Sequence, residues 1–155
     1  MSMETKFYAF KKNDAGFTLI ELLLSIAVIT LIAGMSAPVY QSFQVRNDLD
    51  IATVATAQNL RRAETLATAV DGDTSWGVKV QSGSITLFKG TSYAARDVAF
   101  DESFDLPESL TPSGVSEVVF VKFTGLPQTT GTITYTSNAN ETRNITINAK
   151  GMVSY

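Results

Sequence analysis

The most unusual chemical group in this sequence is a single carboxylate, Glu21, at the start of a long uncharged segment. It closes the run Gly16-Phe17-Thr18-Leu19-Ile20-Glu21, and the residues from Leu22 to Val39 carry no charge. A carboxylate costs roughly 2.5–3.5 kcal/mol at the centre of a bilayer on insertion scales, and less near the interface. We therefore expect Glu21 to have a cationic partner and a function.

The composition offers little other reactive chemistry. The 155 residues include no cysteine and no histidine, which removes disulfides, thiolate nucleophiles, imidazole bases and the commonest transition-metal ligand. The sequence also has no nucleophile motif and no phosphate-binding loop, so we expect neither an enzyme nor a cofactor. The net charge of −3 argues against nucleic acid as a partner, because phosphate binding depends on clustered Lys and Arg.

The segment around Glu21 has the length and hydropathy of a membrane anchor. A helix from Phe17 to Ala37 would be about 31 Å long at ~1.5 Å per residue, which matches the roughly 30 Å hydrocarbon core of a bilayer. Lys6, Lys11 and Lys12 precede it and favour a cytoplasmic N-terminus. These features predict a single-pass protein of the inner (cell) membrane with an exported C-terminal domain.

Two ordinary interpretations of this segment explain only part of it. A secretory signal would be cut after small residues, and Ser36-Ala37 is a poor site because Pro38 follows. A plain uncleaved anchor would require neither Glu21 nor glycine followed by phenylalanine at its start.

The lysine-bearing leader, the Gly16-Phe17 boundary, Glu21 and the apolar run to Val39 together resemble the class III signal of type IV pilins and type II secretion pseudopilins. The resemblance implies that a prepilin peptidase cuts between Gly16 and Phe17 and then methylates the new amine of Phe17. It also implies that Glu21 contacts the N-terminal amine of a neighbouring subunit during filament assembly. That amine has a reference pKa of about 8, and pairing lowers the cost of both charges where the dielectric is low.

Gly34 and Pro38 mark a predicted weak point in the helix. Proline lacks an N–H, and its ring crowds the carbonyl four residues earlier, which is that of Gly34. The resemblance implies that this segment loses helical hydrogen bonds in assembled pili. A simple kink at the membrane boundary is the alternative.

The same helix is predicted to continue, in amphipathic form, from Tyr40 to Val70. The residues expected on its buried face recur at three- and four-residue steps: Val45, Leu49, Ala52, Leu60, Ala63, Leu66 and Val70. Asp71-Gly72-Asp73 is expected to end the helix, with Gly72 as a left-handed cap. The same run could bind calcium, although it lacks the ligand spacing of an EF-hand loop.

The remaining residues predict antiparallel strands. The predicted segments are Trp76–Gln81 and Ser84–Lys89 joined by a Ser82-Gly83 turn, then Glu117–Phe123 as a central strand, Thr132–Thr136 with Ile133 and Tyr135 inward, Arg143–Ala149, and Met152–Tyr155. The stretch 91–116 is expected to be loop-rich, with a possible edge strand at Val98–Phe100. Five acids between Asp97 and Glu108 are expected to lie on a solvated loop.

These elements predict an α+β fold, with a long N-terminal helix packed on an antiparallel β domain. The expected organisation is a leader at 1–16, a transmembrane or filament-core helix at 17–39, an amphipathic helix at 40–70 and a β-rich globular domain at 71–155. The second half resembles the GspH/FimT branch of the pilin family at Trp76-Gly77, Val119-Phe120 and Gly151-Met152-Val153. Met152 stands where that branch usually has a basic residue.

The resemblance implies a minor pilin or minor pseudopilin without catalytic activity of its own. Its implied partners are other pilins or pseudopilins, a prepilin peptidase, an inner-membrane platform protein, an assembly ATPase and membrane lipid. Two alternatives stay open: a pilus-tip subunit that binds DNA during uptake, and a major pilin that forms the bulk of a surface fibre. Secretion, motility, adhesion and DNA uptake use the same N-terminal machinery.

Overall fold

The structure is a computed structural model that describes residues 16–155, and within it only the backbone of residues 35–39. The predicted leader at 1–16 lies outside the described residues, apart from Gly16. The chain divides into two compact units, Met1–Val39 and Tyr40–Tyr155.

One helix, α1, spans Leu19–Thr68. It ends two residues before the predicted boundary, and Val70 rather than Gly72 is the first residue with a left-handed backbone (φ 58°). Gly72 (φ 66°) lies within a single 3₁₀ turn at Asp71–Asp73. The carbonyl of Ala67 accepts hydrogen bonds from the N–H of Val70 (3.2 Å), which closes the last turn, and from the N–H of Phe123 (3.1 Å), which ties that turn to the loop after β5.

The buried face of α1 agrees with the predicted pattern except at Val70, which lies beyond the end of the helix and outside the core. Leu49, Ala52, Leu60 and Ala63 are buried in the core, and Val45 and Leu66 pack partly against it. The core face also includes small and polar residues that the apolar pattern did not predict: Thr53, Thr56, Ala57, Asn59 and Ala67. The polar groups among them donate hydrogen bonds to carbonyls one turn earlier, so their burial leaves no donor unsatisfied.

Within residues 16–155, eight strands form two four-stranded antiparallel sheets. The strands are β1 Trp76–Gln81, β2 Ser84–Lys89, β3 Asp97–Asp105, β4 Leu110–Gly114, β5 Glu117–Phe120, β6 Gly131–Ser137, β7 Thr142–Ile147 and β8 Val153–Ser154. The first sheet has the order β3-β2-β1-β5 and the second β4-β6-β7-β8. The predicted α+β class with antiparallel strands is confirmed.

The β1–β2 hairpin has the predicted boundaries. Its turn, Ser82-Gly83, places Gly83 at φ 82°, a conformation that glycine adopts at no steric cost. Gly77 in β1 is required for a different reason: a Cβ there would lie 2.9 Å from the carbonyl oxygen of Val118 and 2.5 Å from the ring of Phe88.

The prediction of a central strand at Glu117–Phe123 is wrong in position. β5 stops at Phe120 and lies at the edge of the first sheet. Its side chains at Val118, Val119 and Phe120 are nevertheless buried. The apolar run correctly indicated burial on both faces. On the open edge of β5, however, the neighbour is a loop and not a strand: the N–H of Gln128 donates a hydrogen bond to the carbonyl of Val119 (2.8 Å).

The prediction that residues 91–116 are mostly loop is also wrong. The stretch contains β3, which is nine residues long, and β4. β3 is an edge strand, as suggested for Val98–Phe100, and it carries four of the five acids that were expected on a loop. Pairing with β2 outweighs the low strand propensity of these acidic residues.

Candidate assembly site at the start of the long helix

The predicted cleavage point lies in exposed, non-helical backbone. Gly16 to Thr18 precede α1, and Phe17 is 81% exposed. Among the described residues, and apart from the chain neighbours of Gly16, no atom lies within 4 Å of the position that a Cβ there would occupy. Neither residue contributes to packing in the described chain, so both are accessible to another protein.

Thr18 caps the helix that carries Glu21. Its Oγ1 accepts a hydrogen bond from the N–H of Glu21 (3.3 Å), and its carbonyl accepts one from Leu22 (3.1 Å). A carboxylate in the first turn is also favoured by the helix dipole. Sequence analysis missed this role for Thr18, although a threonine followed three residues later by a glutamate is the signature of a capping box.

The helix on both sides of Glu21 exposes apolar side chains all around. The exposed large residues of this segment are Leu19, Ile20, Leu22, Leu23, Leu24, Ile26, Val28, Ile29, Leu31 and Ile32. The polar side chains bond to their own backbone, since Ser25 Oγ donates to the carbonyl of Glu21 (2.7 Å) and Thr30 Oγ1 to that of Ile26 (2.9 Å). Over the residues that the structure describes, no helix has both the length and the apolar character needed to cross a membrane.

Gly34 and Pro38 both lie within α1, whose helical backbone continues through the two positions. Gly34 is exposed, and a Cβ built on it would meet no described side chain within 4 Å. The role of this pair as a weak point stays a prediction.

The acidic turn after α1 is held by a cation from the protein itself. Asp73 Oδ1 accepts from Lys122 Nζ at 3.1 Å, and the backbone carbonyl of Asp71 accepts from the indole N–H of Trp76 (2.9 Å). Among residues 16–155, no group of three or more acidic, His or Cys side chains is arranged to hold a metal ion. The turn therefore connects α1 to the first sheet.

Two of the acids on β3 form ion pairs with arginines. Arg62 on α1 binds both carboxylate oxygens of Glu102 at 2.6 Å. Arg96 Nε donates to Asp101 Oδ2 at 2.7 Å, and this hydrogen bond raises the pKa of the Arg96 guanidinium. These pairs fasten β3 to α1 and to the loop before it, so both arginines have partners within the chain.

Two comparisons with known proteins found a match, one to a sequence motif and one to a solved structure. Residues 11–37 match the family model described as the prokaryotic N-terminal methylation motif. The fold is similar to that of the minor pseudopilin EpsH from the type 2 secretion system of Vibrio cholerae, with a TM-score of 0.52 and 15% sequence identity over 69% of this chain and 94% of that one. At this identity the likeness establishes the fold alone. The chain thus combines an N-terminal methylation motif with a fold similar to that of a minor pseudopilin.

Proposed function

We propose that the chain is a minor pilin or minor pseudopilin: a structural subunit that is cleaved between Gly16 and Phe17, N-methylated on Phe17 and polymerised through its N-terminal helix. One observation carries the proposal. The methylation motif over residues 11–37 coincides with an exposed Gly16-Phe17 bond immediately before a capped helix. The first turn of that helix holds Glu21, the single acid of an otherwise apolar segment.

Before assembly, the subunit would reside in the inner membrane with its N-terminus in the cytoplasm and its β domain exported. The exposed apolar side chains between Leu19 and Ile32 support this, because lipid or neighbouring helices would remove them from water. The partners that the proposal requires are a prepilin peptidase, other pilins or pseudopilins, a platform protein and an assembly ATPase. The chain itself would perform no catalysis.

A role in secretion is the first form of this proposal to test, since the similar fold is that of a minor pseudopilin. The experiment is quantitative mass spectrometry of sheared filaments and of the membrane fraction, with a search for a peptide that begins at methylated Phe17. A small amount in the sheared fraction supports a minor pilin, and processed chain retained in the membrane supports a secretion pseudopilin. High abundance in filaments would mean a major pilin.

The same experiment can overturn the proposal. A mature N-terminus at Pro38 would identify an ordinary secretory signal, and a chain that retains its leader would identify a plain anchor. Gly16→Arg is the matched control, because it should abolish processing and leave the membrane-inserted precursor at its normal level.

A further inference from the structure

Two aromatic side chains are exposed where the compact unit Tyr40–Tyr155 begins. Tyr40 is 71% exposed and Phe43 is 68% exposed, and their spacing of three residues on α1 places them on one side of the helix. No charged residue occurs between Glu21 and Arg46. Aromatic side chains at the end of an uncharged segment are typical of the interface between a bilayer and water.

The position of these rings along α1 agrees with the outer headgroup layer. With the predicted segment Phe17–Ala37 in the hydrocarbon core, Tyr40 and Phe43 follow Ala37 by about 4.5 and 9 Å, at ~1.5 Å per residue. The polar layer on each side of the core is about 5–7 Å thick. Tyr40 therefore falls within this layer and Phe43 at its outer limit. Arg46, the first charge after Glu21, falls in water.

The tip of the β6–β7 hairpin lies at the same end of the globular unit. Arg46 Nε pairs with Glu141 Oε1 at 3.3 Å, and one helical turn later Arg143 Nε pairs with Asp50 Oδ1 at 3.0 Å. Four helix residues and two strand residues both advance about 6–7 Å. β7 therefore runs beside α1 in the same direction, and the residues before Glu141 extend past Arg46 toward Phe43.

The hairpin tip is polar and carries no charge. Asn138, Ala139 and Asn140 are exposed. The charge that follows them, Glu141, is neutralised by Arg46. Amide side chains offer both donors and acceptors of hydrogen bonds, so the tip suits the phosphate and carbonyl oxygens of lipid headgroups without the need to desolvate a charge.

We propose that this end of the globular unit rests on the outer surface of the bilayer before assembly. Tyr40 and Phe43 lie in the headgroup layer, and the hairpin tip at residues 138–140 contacts the headgroups beside them. The inference rests on the membrane residence in the proposed function, and it names the surface of the β domain that meets lipid. Because this surface is neutral, the contact requires no anionic lipid.

The two ends of β7 supply a matched pair of positions for the test. Ala139 lies in the turn before β7 and Ala149 in the turn after it, and both are exposed. The second turn packs on Glu64, since a Cβ on Gly151 would lie 2.9 Å from Glu64 Oε1. Glu64 is about 27 Å along α1 from Arg46. Ala149 should therefore lie far from the bilayer that Ala139 contacts.

The absence of cysteine allows one fluorophore to be attached at a chosen position. The full-length chain with Ala139→Cys, Phe43→Cys or Ala149→Cys is labelled with nitrobenzoxadiazole and reconstituted into phosphatidylcholine vesicles. A nitroxide on the lipid headgroup quenches only nearby fluorophores. We expect it to quench the labels at positions 139 and 43 at least threefold more than the label at 149. Partial replacement of phosphatidylcholine by anionic phosphatidylglycerol should leave the quenching at position 139 unchanged.

Three outcomes would overturn the proposal. Quenching at position 139 that is no stronger than at 149 would show that the tip lies away from lipid. Stronger quenching at position 43 by a nitroxide on the acyl chain than by one on the headgroup would place that side chain in the hydrocarbon core. Dependence of the signal at position 139 on phosphatidylglycerol would indicate a contact driven by charge. A full-length chain that is released from the vesicles by carbonate extraction would instead refute the membrane residence in the proposed function.

Discussion

The hydroxyl groups of Thr56 and Tyr135 lie 2.6 Å apart in the buried interface between α1 and the second sheet. Both residues are fully buried, and Thr56 Oγ1 also lies 2.7 Å from the carbonyl of Ala52. Thr56 therefore donates to its own helix and accepts from the tyrosine. The hydroxyl of Thr56 therefore connects α1 to Tyr135 on β6. The phenol hydroxyl is the only polar group of the Tyr135 side chain, and the rest of that side chain packs in the core.

Removal of either partner should destabilise the domain, but by different amounts. Thr56→Val leaves the Tyr135 hydroxyl buried without a partner, which costs about 1–3 kcal/mol. Tyr135→Phe removes the hydroxyl itself, and Thr56 keeps its bond to Ala52, so the cost should be about 0.5–1.5 kcal/mol. Urea unfolding of the fragment Tyr40–Tyr155 measures both. Equal losses, or a larger loss for Tyr135→Phe, would contradict this assignment of donor and acceptor.

The same tyrosine predicts a pH dependence of stability. Burial raises the pKa of the Tyr135 phenol above its ordinary value of 10.0, and the hydrogen bond to Thr56 offsets only part of the rise. The folded state thus binds the phenolic proton more tightly than the unfolded state does. The resulting contribution to the free energy of unfolding is complete below a pH of about 10 and is lost as the pH rises through the folded pKa. The unfolding free energy of the unsubstituted fragment should therefore fall more steeply above pH 10 than that of Tyr135→Phe, and parallel curves would refute the assignment.

The cap at Thr18 should control the first turn of α1. Thr18→Ala removes the acceptor for the Glu21 N–H, and loss of such a cap costs about 0.5–2 kcal/mol of local helix stability. Hydrogen exchange of the Glu21 amide in detergent should accelerate accordingly, whereas Thr18→Ser, which keeps the hydroxyl, should exchange at nearly the original rate. The same exchange rate in Thr18→Ala would show that the cap contributes nothing.

Glu21→Ala tests the assembly role of the carboxylate. The substitution removes a charge from an exposed position in the first helical turn, so membrane insertion and processing should continue. Incorporation into filaments should drop strongly, because the cationic amine of a neighbouring Phe17 would lose its counter-charge. Glu21→Asp is the matched control and should retain part of the activity. Normal incorporation of Glu21→Ala, quantified in sheared filaments, would exclude this pairing.

Two glycines of the first hairpin should respond differently to alanine. Gly77→Ala places a Cβ against the Val118 carbonyl and the Phe88 ring, and overpacking of this kind costs about 1–3 kcal/mol. Gly83→Ala meets no neighbour within 4 Å but must hold φ 82°, so its cost of about 1 kcal/mol is due to backbone strain alone. Thermal unfolding of the two variants should show the larger loss for Gly77→Ala, and the opposite order would contradict the packing argument.

The features that sequence analysis predicted correctly depend on short stretches of chain. The boundaries of the β1–β2 hairpin followed from alternation on both sides of Ser82-Gly83, and the buried face of α1 followed from the spacing of Leu49, Ala52 and Leu60. Both patterns reflect a backbone period, which is fixed by local geometry. The methylation motif matched over residues 11–37 is equally local, whereas the roles of Gly16, Phe17 and Glu21 within it stay predictions.

The order of the strands could not be obtained in this way. Glu117–Phe123 was predicted as one central strand because its middle is apolar on both faces, yet β5 ends at Phe120 and lies at the edge of its sheet. Burial on the outer side is provided by a loop, and periodicity does not distinguish a loop from a neighbouring strand. Only the Val98–Phe100 part of β3 was suggested as a strand, because its acidic residues indicated a solvated loop. Two of these acids, Asp101 and Glu102, are paired with Arg96 in the preceding loop and with Arg62 on α1.

The sequence by itself determined the N-terminal methylation motif, the buried face of α1 and the α+β class, because these follow from residue types a few positions apart. The tertiary structure alone decided that Phe123, in a left-handed turn, bonds to the end of α1 at Ala67, and that Tyr135 shares the hydroxyl of Thr56. Each of these depends on a hydrogen bond between residues far apart in the chain. Such partners come together only when the chain has folded, so no local pattern records them.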